Sequence, residues 1–91
     1  MPTHGKLYWA SEFVNGPDGR FRVVVNRLAP GQHSMGSRDL YTATLYRKSA
    51  EGDEAVAPDF WQQTTPPHDP DKHAFRERAR RAAQPVAGAE Q

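Results

Sequence analysis

The segment Asn15-Gly16-Pro17-Asp18-Gly19 most constrains the fold, because it combines the residues that a tight turn requires. Pro17 presets φ at the first central position of a turn, and Asp18 suits the second. Gly19 can adopt the left-handed conformation that closes such a turn. Since both flanking segments read as β-strands, the sequence predicts a hairpin centred on Pro17 and Asp18.

Residues 6–14 and 20–28 are predicted as the two strands, the first alternating and the second rich in β-branched residues. A type I turn followed by a glycine bulge would place Phe13 opposite Val23. A type I′ turn at Asn15-Gly16 ranks second, because it would place a proline inside a strand. The preferred register gathers five apolar side chains on the expected core face: Trp9, Phe13, Phe21, Val23 and Val25.

The remaining segments complete the predicted fold. Residues 29–37 are a loop by composition, and residues 38–48 form a third strand. A helix follows Asp69, an N-cap residue with a proline after it. The fold class is therefore α+β: a small three-stranded antiparallel β-meander with a C-terminal helix and a disordered end.

The charge of the chain changes sign along its length. Residues 1–48 carry seven Lys or Arg against three Asp or Glu, whereas residues 49–71 carry six acidic and no basic side chains. Residues 72–91 are basic again, with five against two. This pattern divides the chain into an antiparallel β-sheet body at 1–48, an acidic proline-rich linker with an aromatic latch at 49–69, a basic helix at 70–84 and a disordered tail at 85–91.

Size and composition exclude several classes of protein. With 91 residues the chain forms one small domain, and without cysteine it has neither disulfides nor thiolate metal sites. No apolar run of about 18 residues is present, so we expect no membrane span. Residues 1–6 lack the features of a signal peptide, and we expect a cytoplasmic protein. The small core makes a homodimer a further expectation.

Catalytic chemistry is not indicated. Ser11 and Glu12 would point to opposite faces of a regular strand, so they could not act together. The histidines and aspartates between His68 and His73 match no metal-ligand spacing, and Asp69 already has a role as helix cap. We therefore predict a protein that is not an enzyme and that holds no metal or cofactor.

Binding is the function that the other residues favour. Aromatic and arginine side chains interleave on the strands, a composition typical of sheets that stack bases and neutralise phosphates. The Phe60-Trp61 pair is either a latch that folds onto the sheet or an anchor for another protein. The candidate binding residues are Tyr8, Arg22, Arg27, His33, Arg38, Phe60, Trp61, Arg76 and Arg80.

The leading hypothesis is a small non-catalytic binding module that contacts nucleic acid or a nucleoprotein complex. One alternative is a protein-binding adaptor or inhibitor that acts through the loop at 29–38 and Phe60-Trp61. Another is a structural subunit of a homo-oligomer. The basic helix suits either nucleic acid or an acidic protein surface.

Overall fold

The computed structural model describes residues 5–84, and the tail expected to be disordered, 85–91, lies outside them. Five strands form one antiparallel sheet, and one α-helix follows. The fold is therefore a small α+β fold, but its sheet is larger than the predicted three-stranded meander. The elements are β1 (Lys6–Ala10), β2 (Val14–Gly16), β3 (Gly19–Leu28), a short 3₁₀ helix (Pro30–Gln32), β4 (Leu40–Ser49), β5 (Gly52–Gln63) and α1 (Asp69–Ala83).

The strands follow one another as a meander. β3 pairs with β4 and β4 with β5, while β1 and β2 both pair with β3 along one edge. Across the described residues, 5–84, no helix is long and apolar enough to cross a membrane.

β5 occupies most of the segment that was expected to be an acidic linker. Its Asp53 and Glu54 stand opposite Lys48 and Arg47 of β4. Opposite charges in facing positions favour strand pairing, so the acidic composition complements the basic end of β4. A linker prediction from composition alone overlooks this pairing, because it does not consider which strand lies alongside.

The hairpin between β2 and β3 turns at Pro17 and Asp18, as predicted. Gly16 pairs directly with Gly19, whose φ of 137° favours glycine. The predicted bulge at Gly19 is wrong, because β2 and β3 pair without a shift; the observed register therefore differs from the predicted one by one residue, and Val14 rather than Phe13 faces the core.

A break between β1 and β2 explains this difference. The pairing of β1 with β3 shifts between Leu7 and Trp9, and Ser11 then lies outside both strands. Ser11 Oγ accepts a hydrogen bond from the Val23 N–H at 2.9 Å, and the Ser11 N–H donates to the Val23 carbonyl at 2.9 Å. The alternation of side chains between the two faces of the sheet restarts after this break. The prediction that Phe13 belongs to the core is therefore wrong.

The core lies between α1 and one face of the sheet, which we call the helix face. Alternate β3 residues Phe21, Val23 and Val25 are buried there. Phe75 of α1, only 2% exposed, is the central side chain. Its ring is surrounded by three aromatic rings at centroid distances of 5.2–6.1 Å, those of Trp9, Phe60 and Trp61.

α1 begins one residue earlier than predicted, with His68 rather than Asp69 as the N-cap residue. The Asp71 carboxylate accepts a hydrogen bond from the His68 N–H at 2.9 Å, so Asp71 supplies the capping interaction. Acidic residues in the first turn and Arg80 and Arg81 in the last turn complement the helix dipole.

Candidate functional site

The sheet face opposite α1, which we call the open face, carries the second set of alternating side chains. Its central residues form cross-strand pairs on β3 and β4: Arg22 with Tyr46, Val24 with Thr44, and Asn26 with Thr42. Because paired residues share a face, this row leads from a basic end at Arg22 to a polar end at Asn26.

Four residues at the basic end form the Phe13 cluster, defined as Phe13, Arg20, Arg22 and Lys48. The guanidinium carbons of Arg22 and Arg20 lie 4.5 and 5.0 Å from the centroid of the Phe13 ring. Lys48 Nζ lies 5.8 Å from the same centroid. All three distances are within cation–π range. The ring thus holds three like charges together at the surface.

These cations have no ion-pair partner in the part of the chain that the structure describes. The ion pairs found there involve other arginines: Arg27, Arg47, Arg76 and Arg80. Asp53 stands opposite Lys48 in the β4–β5 register but forms no ion pair with it. Unpaired positive charges gathered at one surface position attract anions.

A groove of about 250 Å³ continues the open face beyond the Phe13 cluster. Tyr46, the cross-strand partner of Arg22, lines its near end, so the groove and the cluster are contiguous. The walls combine hydroxyl, amide, carboxylate and apolar groups, and include Asn26, Thr42, Thr44, Tyr46, Pro58 and Asp59.

A bulge in β5 shapes one wall of this groove. Ala57 stands opposite Leu45 and Trp61 opposite Ala43, so three β5 residues lie opposite the single residue Thr44. Asp59, within the bulge, has a φ of 47°, and its N–H donates to Thr44 Oγ1 at 3.0 Å. Aspartate tolerates the left-handed region better than most residues, but the conformation still costs free energy. Such a conformation at the wall of a groove is typical of a functional position.

The structure separates the predicted binding residues into three groups, and only Arg22 belongs to the Phe13 cluster. The second group lies at the far end of the sheet, where Arg27 Nε is 3.9 Å from Asp39 Oδ2. The neighbouring loop is ordered by His33, whose Nδ1 accepts from the Met35 N–H at 3.0 Å. His33 Nε2 therefore donates to the carbonyl of Arg38, at 2.7 Å.

The third group consists of the predicted residues that lie on or beside the helix face. Phe60 and Trp61 belong to β5, so they are not a latch that folds onto the sheet, and both pack against Phe75 of α1. Tyr8 is 42% exposed, and the centroid of its ring lies 5.0 Å from that of the Tyr41 ring. Arg76 and Arg80 form ion pairs with Glu12 and Glu77, respectively.

The candidate binding residues predicted from the sequence did not include Arg20, Lys48 or Asp59, the groove was not predicted, and Phe13 was assigned to the core. The pairing of Arg20 with Lys48 depends on the β3–β4 register, which no local motif fixes. No sequence pattern marks the bulge at Asp59, although the adjacent Pro58 indicates an irregular or edge strand.

Comparison of the chain with protein-family models, with curated proteins and with solved structures found no match. Function is therefore inferred from the site rather than from relatives.

Proposed function

We propose that the protein is a small non-catalytic module that binds nucleic acid through the Phe13 cluster. The observation that carries this proposal is the gathering of three unpaired cations around one aromatic ring. Arginine and lysine at such spacing neutralise phosphates, and this interaction supplies most of the affinity of proteins that bind nucleic acid without sequence specificity.

The surroundings of the cluster favour a nucleic acid over a simple anion. A small anion would need only the charges, whereas Tyr46 and the groove extend the basic surface with an aromatic ring and hydrogen-bonding groups. A ligand that carries both phosphates and bases can use the charges, the aromatic ring and the hydrogen-bonding groups together.

Fluorescence anisotropy with a labelled single-stranded oligonucleotide and a duplex of the same length tests the proposal. Binding should weaken as salt rises from about 50 to about 200 mM, with a slope of about −2 to −3 in log K against log salt if three phosphates are neutralised. The triple variant Arg20→Gln/Arg22→Gln/Lys48→Gln should lose most of this affinity and most of the slope.

A matched control removes three cations at the opposite end of the sheet, in Lys6→Gln/Arg27→Gln/Arg38→Gln. Both variants have the same net charge, so a local site predicts that only the cluster variant loses binding. Affinity no better than about 10⁻⁴ M for either oligonucleotide at low salt, or equal losses in the two variants, would contradict the proposal.

The adaptor alternative has one supporting observation, the loop at 29–38, where Met35 is 57% exposed. Phe60 and Trp61 contribute little to it, because both pack against Phe75. This alternative gains support only if the oligonucleotide titrations show no binding.

A further inference from the structure

From the contiguity of the Phe13 cluster and the groove, we infer that the nucleic acid is single-stranded and that one of its bases enters the groove beside Tyr46. This inference rests on the proposed function and adds a specificity to it. The link is the cross-strand pair Arg22–Tyr46, since Arg22 lies over Phe13 and Tyr46 lines the groove.

The small size of the groove limits its occupant to a small group such as one base. At about 250 Å³ it lies below the range of about 300–1,000 Å³ that drug-sized ligands occupy. A planar ring system can stack on Tyr46, whose side chain is partly exposed on the open face. In a duplex the bases are already stacked and paired, so none is available to enter the groove.

The charge distribution orients the strand. The Asp59 carboxylate at the groove wall repels phosphates, whereas the Phe13 cluster attracts them. The backbone is therefore expected at the cluster and the base at the groove. From Arg22 to Asn26 the strand rises roughly 13 Å, so both contacts lie within reach of one short strand.

Asp59 also predicts which bases are preferred. An ionised carboxylate only accepts hydrogen bonds, and adenine, cytosine and guanine offer an exocyclic amino group as donor. Thymine has no amino group, and its single ring donor, the N3–H, lies between two carbonyl oxygens that repel a carboxylate. We therefore expect oligo(dC) and oligo(dA) to bind more tightly than oligo(dT).

Titrations of equal-length oligo(dC), oligo(dA) and oligo(dT) test this preference in the wild type and in Asp59→Asn. Asparagine tolerates a φ of 47°, so the variant should keep the bulge while it gains a donor for thymine carbonyls. The wild type should bind oligo(dC) about fivefold or more tightly than oligo(dT), and the variant should reduce or reverse this ratio.

Variants of Tyr46 provide a second test of the inference. Tyr46→Leu should weaken single-strand binding about fivefold or more, while Tyr46→Phe, which keeps the ring, should bind like the wild type. Tyr8→Leu, on the helix face, is the matched control and should have no effect. Circular dichroism checks that each variant is folded.

The possible failures are distinguishable. If all oligonucleotides and the duplex bind equally, and only the cluster variant loses affinity, the base-in-groove inference is overturned and the proposed function stands. Preferential binding of the duplex would also overturn it. If no oligonucleotide binds, both proposals fail.

Discussion

At the scale of single residues, Ser11 maintains the pairing of the first strand with β3 across the break. Its hydroxyl is the hydrogen-bond acceptor for the N–H of Val23, a residue with no exposed surface. Ser11→Ala leaves that N–H without this acceptor, and an unsatisfied buried donor costs about 1–3 kcal/mol. Urea denaturation should show a loss of this size in the free energy of unfolding.

Ser34→Ala provides the control for this prediction, because Ser34 is exposed in the loop. Its stability should stay within about 0.5 kcal/mol of the wild type. A Ser11→Ala variant that is as stable as Ser34→Ala would show that the hydroxyl is dispensable.

Glu12 makes stability depend on pH. The hydrogen bond from Arg76, with Nε at 3.1 Å from Oε2, holds the pKa of this carboxyl below its ordinary value. A lowered pKa in the folded state means that the unfolded chain takes up the proton first. The stabilising contribution is therefore present above the unfolded pKa, about 4.3, and is lost as pH falls through the folded pKa.

Comparison of the wild type with Glu12→Gln tests this dependence. The urea midpoint of the wild type should exceed that of the variant at about pH 7, and the difference should shrink at about pH 3. The effect should be small, because the carboxylate is exposed and solvent screens the pair. A difference that grows toward acid pH would contradict the assignment.

At the scale of elements, the end of α1 packs directly on the hairpin. A Cβ added at Gly16 would lie 2.4 Å from the Ala83 carbonyl oxygen and 2.8 Å from the Ala83 Cα. Both are backbone atoms, so no side-chain rotation relieves the clash. Gly16→Ala should lower the free energy of unfolding by about 1–3 kcal/mol, the usual cost of overpacking.

Gly31→Ala is the matched control, since nothing lies within 4 Å of a Cβ there and its φ is not in the left-handed region. It should leave stability within about 0.5 kcal/mol of the wild type. Hydrogen exchange should also speed up at the last turn of α1 in Gly16→Ala and not in the control. Unchanged exchange there would argue against the contact.

The elements also show what a sequence can predict. The turn at Pro17-Asp18 was predictable because backbone preferences of a few residues determine it. The register of the hairpin was not predictable, because it depends on the hydrogen bonds between Ser11 and Val23. These bonds form only when the two segments lie side by side. β5 was missed because the ion pair of its Glu54 with Arg47 forms only once β5 lies beside β4.

The same limit applies to the candidate site. Arg22 was predictable as a binding residue from its type and its strand. The Phe13 cluster required the break that turns Phe13 to the open face and the register that pairs Arg20 with Lys48. Non-local pairing, rather than local propensity, thus determines the candidate surface.

At the scale of the whole molecule, the sheet ends in β5, a strand of 12 residues whose outer edge pairs with no other strand among residues 5–84. A long edge strand is a template for pairing with a second copy. Pro58 removes one backbone donor from this strand, the bulge at Asp59 bends it, and Asp53 and Glu54 add negative charge. These features oppose edge-to-edge association.

Replacement of the proline tests this account. Pro58→Val restores a backbone N–H and adds β propensity in the middle of the edge, so it should increase self-association. Sedimentation velocity over a range of concentrations should detect larger species in Pro58→Val than in the wild type. Pro30→Val, in the short 3₁₀ helix after β3, is the control for loss of a proline. Equal sedimentation of all three proteins would mean that the bulge and the acidic residues protect the edge without Pro58.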